Sequence, residues 1–192
     1  IILAAGKGTR LSPATSVVSK PLLPVYDKPM LYYALATLMN AGVREVLFIS
    51  RQEDQKIFKQ LFKNGKNLGM KFKYAVQKKA VGIPDAIRIG EKFVHKKPYI
   101  LALADNIFVG NGLDKLLKKT ASSGVKATVL AVKVANPQKS GVIQFDKNMN
   151  ILSLEEKPKK PKSNFVIPGL YFFNKYSMDY FKAIKKSARG EF

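Results

Sequence analysis

The sequence predicts an α/β fold of the Rossmann-like kind, a mixed but mostly parallel sheet flanked by helices. Two observations support it. Through about residue 125, short apolar runs alternate with segments of helical period, and such alternation favours a parallel sheet covered on both faces. Beyond residue 125 the chain is strand-like with little helix between the strands, which predicts the mixed part of the sheet.

The first part is predicted to contain four strands and four helices. The strands are rich in aliphatic or aromatic residues and cover 1–5, 45–50, 72–76 and 99–104. The helices cover 30–40, 54–63, 84 to about 93, and 111 or 112 to near 124. Gly42 suits the end of the first helix, and Pro84 can open the third because a missing N–H costs little in a first turn.

The second part is predicted to be mainly strands, covering 127–134, 142–145, 151–155 and 166–173. Between the second and third of these, Asp146, Lys147 and Asn148 have the composition of a turn. We therefore expect a hairpin there.

The composition excludes several classes of protein. The 192 residues are 46% apolar and 24% charged, as in one globular domain. No apolar run approaches the roughly 20 residues of a membrane span, and no signal peptide is visible, so we expect a cytoplasmic protein. Without cysteine there is no disulfide, thiolate metal site or cysteine nucleophile. His95 is the single histidine and stands beside two lysines, as expected of a solvated residue. A Ser-His-Asp triad is therefore excluded.

The charge is strongly basic, with 34 Lys+Arg against 13 Asp+Glu and a net charge of +21. Such an excess raises the hypothesis of nucleic-acid binding. The lysines are spread along the chain rather than gathered in one tail. We therefore expect a basic solvated surface and no main role in nucleic-acid binding, although the same field would attract nucleotides and sugar phosphates.

The loop after the first strand has the composition of a phosphate-binding turn. Gly6 and Gly8 allow a tight bend that brings backbone N–H groups close to phosphate oxygens. Lys7 adds charge, and the guanidinium of Arg10 can bind phosphate with two hydrogen bonds. The loop matches neither the Walker A pattern nor the dinucleotide pattern G-x-G-x-x-G. In open α/β sheets the ligand crevice lies beyond the carboxyl ends of the strands, which is where this loop begins.

Longer motifs identify a family. Residues 3–15 read L-A-A-G-K-G-T-R-L-S-P-A-T, and residues 19–30 read S-K-P-L-L-P-V-Y-D-K-P-M. Together they resemble the signature of the sugar-phosphate nucleotidyltransferases, most closely the thymidylyltransferase branch. L-A-D-N-I-F-V-G at 103–110, L-E-E-K-P at 154–158 and S-A-R-G-E at 187–191 continue the resemblance to the end of the chain. It implies a glycosyltransferase-A-like nucleotidyltransferase fold.

The resemblance also implies a reaction. The sugar-phosphate oxygen of glucose 1-phosphate would attack the α-phosphorus of dTTP, or of UTP, and pyrophosphate would leave, with Mg2+ as the cofactor. One domain over 1–192 is implied, with a nucleotide-binding half at 1–125 and a sugar-binding half at 126–192. A homo-oligomer is compatible with the sequence, which leaves the oligomeric state open.

The nucleotide site implied by the resemblance consists of Leu3, Ala5, Gly6, Gly8, Thr9, Arg10, Gln77, Gly82 and Asp105. Arg10, Lys20 and Asp105 are the implied catalytic residues. Arg10 would steady the pyrophosphate group, Lys20 would neutralise charge near the α-phosphorus, and Asp105 would bind Mg2+. Apart from the resemblance, Lys20 could be a surface cation and Asp105 a turn or N-cap residue. Gln77 would read the pyrimidine edge, because its amide both donates and accepts.

The sugar-phosphate site implied by the resemblance consists of Gly141, Glu156, Lys157, Tyr171 and Arg189. Glu156 would accept hydrogen bonds from sugar hydroxyls, and Lys157 would bind the phosphate. Tyr171 lies in an apolar strand, so a core aromatic is an alternative interpretation of it.

Some positions depart from the family pattern and leave alternatives. Pro21 stands where thymidylyltransferases often have a glutamine that helps to read the base, so UTP stays an alternative to dTTP.

The family's second metal-binding aspartate lies beyond the S-A-R-G-E motif and is not among these residues. We therefore expect a chain truncated at its C-terminus. A homologue that binds nucleotide or sugar phosphate without efficient catalysis is the alternative to an active enzyme.

Overall fold

Within residues 1–184, the part of the chain that the computed structural model describes, the chain forms twelve strands and seven α-helices. The strands are β1 (Ile2–Ala4), β2 (Pro24–Val25), β3 (Lys28–Pro29), β4 (Glu45–Ser50), β5 (Lys71–Val76), β6 (Tyr99–Leu103), β7 (Ala127–Val129), β8 (Val132–Lys133), β9 (Gly141–Phe145), β10 (Ile151–Glu156), β11 (Phe165–Val166) and β12 (Leu170–Phe173). The helices are α1 (Ala14–Val17), α2 (Met30–Asn40), α3 (Gln55–Phe62), α4 (Ile83–Ile89), α5 (Glu91–Val94), α6 (Leu113–Ala121) and α7 (Ser177–Ala183). None of the helices in this part of the chain has the length and apolarity of a membrane span.

A six-stranded sheet in the order β5-β4-β1-β6-β12-β7 forms the centre of the fold. Strands β5, β4, β1 and β6 are parallel to one another, whereas β12 is antiparallel to both β6 and β7. The mixed, mostly parallel sheet and the α/β class predicted from the sequence are therefore confirmed. Because β1 and β6 are adjacent and parallel, the loops that follow them meet at one edge of the sheet.

Helices cover both faces of this sheet, and alternate residues of each strand face opposite layers. In β4, Phe48 belongs to the apolar cluster that contains residues of α2, α3 and α6. Its neighbours Leu47 and Ile49 belong to the second cluster, with residues of α4, α5 and α7. The near-continuous apolar run of β4 follows from this burial on both sides, since five of its six residues are buried.

A second, four-stranded sheet is antiparallel throughout, in the order β10-β9-β11-β8. The predicted hairpin is confirmed, because β9 and β10 pair across the turn at Asp146. One carboxylate oxygen of Asp146 accepts hydrogen bonds at 2.8 Å from the N–H groups of Asn148 and Asn150. The two remaining strands, β2 and β3, pair in a short ribbon.

Two predicted strands are each divided between the two sheets. The predicted strand 127–134 becomes β7 in the large sheet and β8 in the small one, and 166–173 becomes β11 and β12. Pro168 lies between β11 and β12 and has no N–H to donate to a ladder. Continuous single strands were therefore a wrong prediction, because hydropathy does not mark where a chain passes from one sheet to another.

The third predicted helix is likewise two helices, α4 and α5, which meet at Gly90. A Cβ on Gly90 would lie 2.6 Å from the Cδ1 atom of Ile1, so the chain passes close to β1 at this point. Helix α7 and the ribbon of β2 and β3 were not predicted. The boundary near residue 125 stays a prediction, since β7 and β12 complete the large sheet from beyond it.

Gly169 lies in the segment that joins β11 of the small sheet to β12 of the large sheet, and its lack of a side chain is required there. A Cβ at this position would lie 2.6 Å from Leu103 Cδ1 and 2.7 Å from the amide nitrogen of Asn106. We expect Gly169→Ala to lower the free energy of unfolding by about 1–3 kcal/mol and the melting temperature by on the order of 5 °C. Gly110→Ala is the matched control, because no atom lies within 4 Å of its added Cβ. Equal melting temperatures for the two variants would contradict this packing.

Candidate nucleotide and sugar-phosphate site

A cavity of about 260 Å³ opens at the carboxyl ends of β1 and β6. It is lined by Leu3, Ala4, Gly6, Gly8, Thr9, Arg10, Leu11, Lys20, Pro21, Leu103, Ala104 and Asp105. Backbone from the glycine loop forms one wall, and the end of β6 forms the other. The structure thus brings together the three predicted catalytic residues and most of the predicted nucleotide-binding loop, whereas Ala5 is buried just outside the lining.

The glycine loop is held by short-range hydrogen bonds. Gly8 has φ +66°, in the left-handed region that favours glycine. Its carbonyl accepts hydrogen bonds from Leu11 N–H and from the Thr15 hydroxyl, both at 2.9 Å. Arg10 is exposed, and within residues 1–184 its guanidinium has no carboxylate partner. The loop therefore presents backbone and an available cation to the cavity.

Lys20 and Asp105 form an ion pair across the cavity, although 85 residues separate them. The Lys20 Nζ atom lies 2.5 Å from Asp105 Oδ2. Lys20 begins a 3-10 helix that follows α1, and Asp105 comes two residues after the end of β6. Both side chains are partly exposed, at 25% and 35%, so solvent and an incoming ligand can reach the pair.

Asn106 connects this ion pair to the second part of the chain. Its Nδ2 atom donates to Asp105 Oδ1 at 3.0 Å, and its Oδ1 atom accepts from Gly169 N–H at 3.3 Å. Gly169 also accepts a hydrogen bond from Leu103 N–H at 2.7 Å. Neither Asn106 nor Gly169 was among the residues predicted for the site. The available signal was the place of Asn106 directly after Asp105 in the same motif.

The small sheet brings three of the predicted sugar-phosphate residues together, namely Gly141, Glu156 and Lys157. Gly141 on β9 pairs with Glu156 on β10, and a Cβ on Gly141 would lie 3.2 Å from a Glu156 carboxylate oxygen. Lys157 Nζ lies 3.1 Å from the other oxygen of that carboxylate. The backbone of Lys157 has φ +48°, a left-handed conformation that is uncommon outside glycine, and its N–H donates to the carbonyl of Ser140.

Tyr171, the fourth predicted residue, lies on β12 of the large sheet. Its half-buried ring packs in the second apolar cluster and stacks with Phe173 at a centroid distance of 6.3 Å. Burial raises the pKa of Tyr171, and the nearby negative charge of Glu156 raises that pKa further. The residue therefore packs in the core and lies close to Glu156 as well. Arg189, the fifth predicted residue, lies outside the described residues.

Gln77 and Gly82 form a separate local unit at the carboxyl end of β5. Gln77 is buried, and its amide nitrogen donates to Gly82 O at 3.2 Å and to Asp85 Oδ2 at 2.9 Å. Gly82 has φ +104° and precedes α4. This unit shares the sheet edge with the cavity, two strands away from β1, and does not line it.

The sequence of this chain is similar to those of known proteins along its whole length. A family model described as nucleotidyl transferase matches residues 1–192. The glucose-1-phosphate thymidylyltransferase of Neisseria meningitidis serogroup A is 47% identical over 191 residues, which cover 100% of this chain and 66% of that protein. The enzyme of the same name from Mycolicibacterium smegmatis is 46% identical over 192 residues, with the same coverage. The chain thus spans slightly less than two thirds of the length of these curated relatives.

Two solved structures are similar to this chain over nearly its whole length. A Bacillus anthracis protein assigned as a glucose-1-phosphate thymidylyltransferase, crystallised with sucrose, superposes with a TM-score of 0.89 at 36% identity. The alignment covers 100% of this chain and 77% of that one. A UDP-glucose pyrophosphorylase in complex with UDP-glucose has a TM-score of 0.81 at 25% identity, with 99% and 81% covered.

Proposed function

The chain belongs to the nucleotidyl transferase family, and on that premise we propose that it converts dTTP and glucose 1-phosphate to dTDP-glucose and pyrophosphate. The observation that carries the proposal is the cavity in which the glycine loop, Arg10, Lys20 and Asp105 converge. Relatives named for this reaction are 46–47% identical over the whole chain. A UTP-using enzyme is the alternative, since a UDP-glucose pyrophosphorylase has a similar structure.

The reaction joins two polyanions. An oxygen of the glucose 1-phosphate phosphate attacks the α-phosphorus of dTTP and forms a new P–O bond. The bond between the α-phosphorus and its bridging oxygen to the β-phosphorus breaks on the opposite side, and pyrophosphate leaves with that electron pair. No protein nucleophile takes part, so the protein contributes positioning and charge stabilisation.

The nucleotide half supplies these contributions from the glycine loop and two cations. Backbone N–H groups of the loop hydrogen-bond the phosphate oxygens, and Gly6 and Gly8 allow the close approach. The guanidinium of Arg10, which lacks a carboxylate partner in residues 1–184, binds the leaving pyrophosphate group. Lys20, which is less exposed than Arg10, neutralises charge at the α-phosphate.

A divalent ion fits the donor set beside Lys20. Asp105 offers a hard carboxylate oxygen in a cavity that is open to solvent. Residues 1–184 contain no group of three or more His, Cys, Asp or Glu side chains that could hold a metal ion. Mg2+ would therefore be held by Asp105 together with phosphate oxygens and water, which is its usual mode of binding. When bound, it would offset the negative charge that develops on the phosphates.

The sugar half orients the nucleophile. The Glu156 carboxylate accepts hydrogen bonds from sugar hydroxyls, with Gly141 leaving room beside it. The Nζ atom of Lys157 then exchanges part of its contact with Glu156 for the sugar phosphate. Tyr171 lies near the Glu156 carboxylate and completes the sugar pocket, and Arg189 adds positive charge.

Base selection is assigned to Gln77 and Gly82, with Pro21 at the cavity wall. The amide nitrogen of Gln77 already donates to Gly82 O and Asp85 Oδ2. Its amide oxygen is then the group offered to a base N–H. Uracil and thymine share that N–H, so this contact alone does not separate UTP from dTTP.

The proposal is tested by pyrophosphate release from the 192-residue chain with glucose 1-phosphate and Mg2+. The nucleotides dTTP, UTP, CTP, ATP and GTP are offered separately. We expect release to be fastest with dTTP. Fastest release with UTP would establish the alternative substrate, whereas binding of nucleotide without release from any of the five would favour the non-catalytic homologue.

Glu156→Gln tests the sugar half. The amide keeps the shape of the side chain but removes its charge, so we expect affinity for glucose 1-phosphate to fall about 10–100-fold, as for loss of a hydrogen bond to a charged group. Affinity for dTTP should stay unchanged. Glu155→Gln is the matched control, because neighbouring residues of β10 point to opposite faces and Glu155 pairs with Lys162. Equal losses in the two variants, measured by titration calorimetry, would exclude this role for Glu156.

A further inference from the structure

We propose that Thr15 is a positioning residue for the nucleotide: its hydroxyl holds the Gly8–Thr9 peptide so that the Thr9 N–H faces the triphosphate. The inference rests on the proposed function, which supplies the ligand. Thr15 is half-buried on α1 and stands outside the cavity lining. It would therefore act on the substrate only through the loop.

Two hydrogen bonds fix the direction of the Gly8 carbonyl. Its carbonyl oxygen accepts from the Thr15 hydroxyl at 2.9 Å and from Leu11 N–H at 2.9 Å. Thr15 lies outside the cavity lining, whereas Leu11 contributes to it, so the Thr15 hydroxyl is the donor that draws the Gly8 carbonyl away from the cavity. In a trans peptide the C=O and N–H bonds point in opposite directions. Holding Gly8 O towards Thr15 therefore turns the N–H of Thr9, which lines the cavity, towards the ligand.

The methyl group of Thr15 packs closely against Gly8 and Lys20. A Cβ on Gly8 would lie 3.0 Å from both Thr15 Cγ2 and Lys20 Cβ. Thr15, Gly8 and the stem of Lys20 thus pack against one another at a point where no further atom fits. Thr15 is placed to fix the loop and the base of the Lys20 side chain together.

A flexible glycine makes this restraint necessary. Glycine adopts left-handed and right-handed backbone conformations with similar ease, so the Gly8–Thr9 peptide can rotate unless its carbonyl is held. Thr15→Val keeps the branched shape and the packing but removes one of the two donors. Thr15→Ser keeps the donor and removes the methyl group, which makes the two variants a matched pair.

The test compares the binding of dTTP, dTMP and thymidine to the wild type and to both variants by titration calorimetry. Because Thr9 N–H is directed at the phosphates, we expect Thr15→Val to weaken dTTP about tenfold. Thymidine affinity should be unchanged, and dTMP should lie between the two. Thr15→Ser should stay within about threefold of the wild type for all three ligands. A purely structural role would weaken all three ligands alike.

Three outcomes would overturn the inference: unchanged dTTP affinity in Thr15→Val, equal losses for dTTP and thymidine, or an equal loss in Thr15→Ser. If Thr15→Val does not fold, a comparison of Thr15→Ser with Thr15→Ala tests the hydroxyl instead. Equal dTTP affinities in those two variants would also overturn the inference. Failure of the proposed function is distinguishable, because then the wild type itself would bind dTTP no more tightly than thymidine.

Discussion

Asp105→Asn is expected to slow dTDP-glucose formation about a thousandfold, since within residues 1–184 it removes the one carboxylate of the cavity lining that can hold Mg2+ against the triphosphate. Asparagine keeps the size of the side chain and an oxygen that can accept from Asn106. The melting temperature should therefore change little. Steady-state rates at saturating dTTP and glucose 1-phosphate measure the effect on the chemical step.

Asp114→Asn is the matched control for this variant. Asp114 is an exposed carboxylate in the first turn of α6 and lies outside the cavity lining. Its loss should leave the rate within about twofold, as expected for a surface substitution. A rate for Asp105→Asn within tenfold of the wild type would remove Asp105 from the proposed metal site.

Lys20→Met is expected to change two properties in opposite directions. The rate should fall about a hundredfold, because a cation that offsets charge at the α-phosphate is lost. Affinity for Mn2+ in the absence of nucleotide should rise roughly twofold to fivefold, the range expected for releasing a carboxylate from a partly exposed ion pair. The reason for the second change is the 2.5 Å contact of Lys20 Nζ with Asp105 Oδ2, which a metal ion must replace.

Lys28→Met separates this effect from a general loss of positive charge. Lys28 is also paired with an aspartate, its neighbour Asp27, but the pair is exposed and lies outside the cavity lining. Mn2+ binding by electron paramagnetic resonance and pyrophosphate release should both stay at wild-type levels in this variant. A Lys20→Met chain with unchanged Mn2+ affinity would show that Lys20 does not compete with the metal for Asp105.

The strands and helices that could be predicted are those whose sequence pattern matches their burial in the fold. Strand β4 and helix α2 were predicted to the residue, at 45–50 and 30–40, because one is an apolar run buried on both faces and the other ends at Gly42. The convergence of the glycine loop and Asp105 follows from parallel neighbouring strands, whose carboxyl ends share one sheet edge.

The contacts that could not be predicted join distant segments. No local pattern indicates that Lys20 pairs with Asp105, or that Asn106 reaches Gly169 across 63 residues. The passage of the chain from one sheet to the other after β7 and after β11 depends on packing of the whole fold. The contact of Thr15 with Gly8 lies within the recognised motif, but seven residues separate them and only the backbone turn brings them together.

The most direct measurement follows an oxygen-18 label. Glucose 1-phosphate labelled in its phosphate oxygens is incubated with dTTP, Mg2+ and the 192-residue chain, and the products are separated and weighed by mass spectrometry. The proposed attack on the α-phosphorus predicts that dTDP-glucose retains all of the label and that pyrophosphate contains none. Absence of dTDP-glucose, or label in the pyrophosphate, would contradict the account.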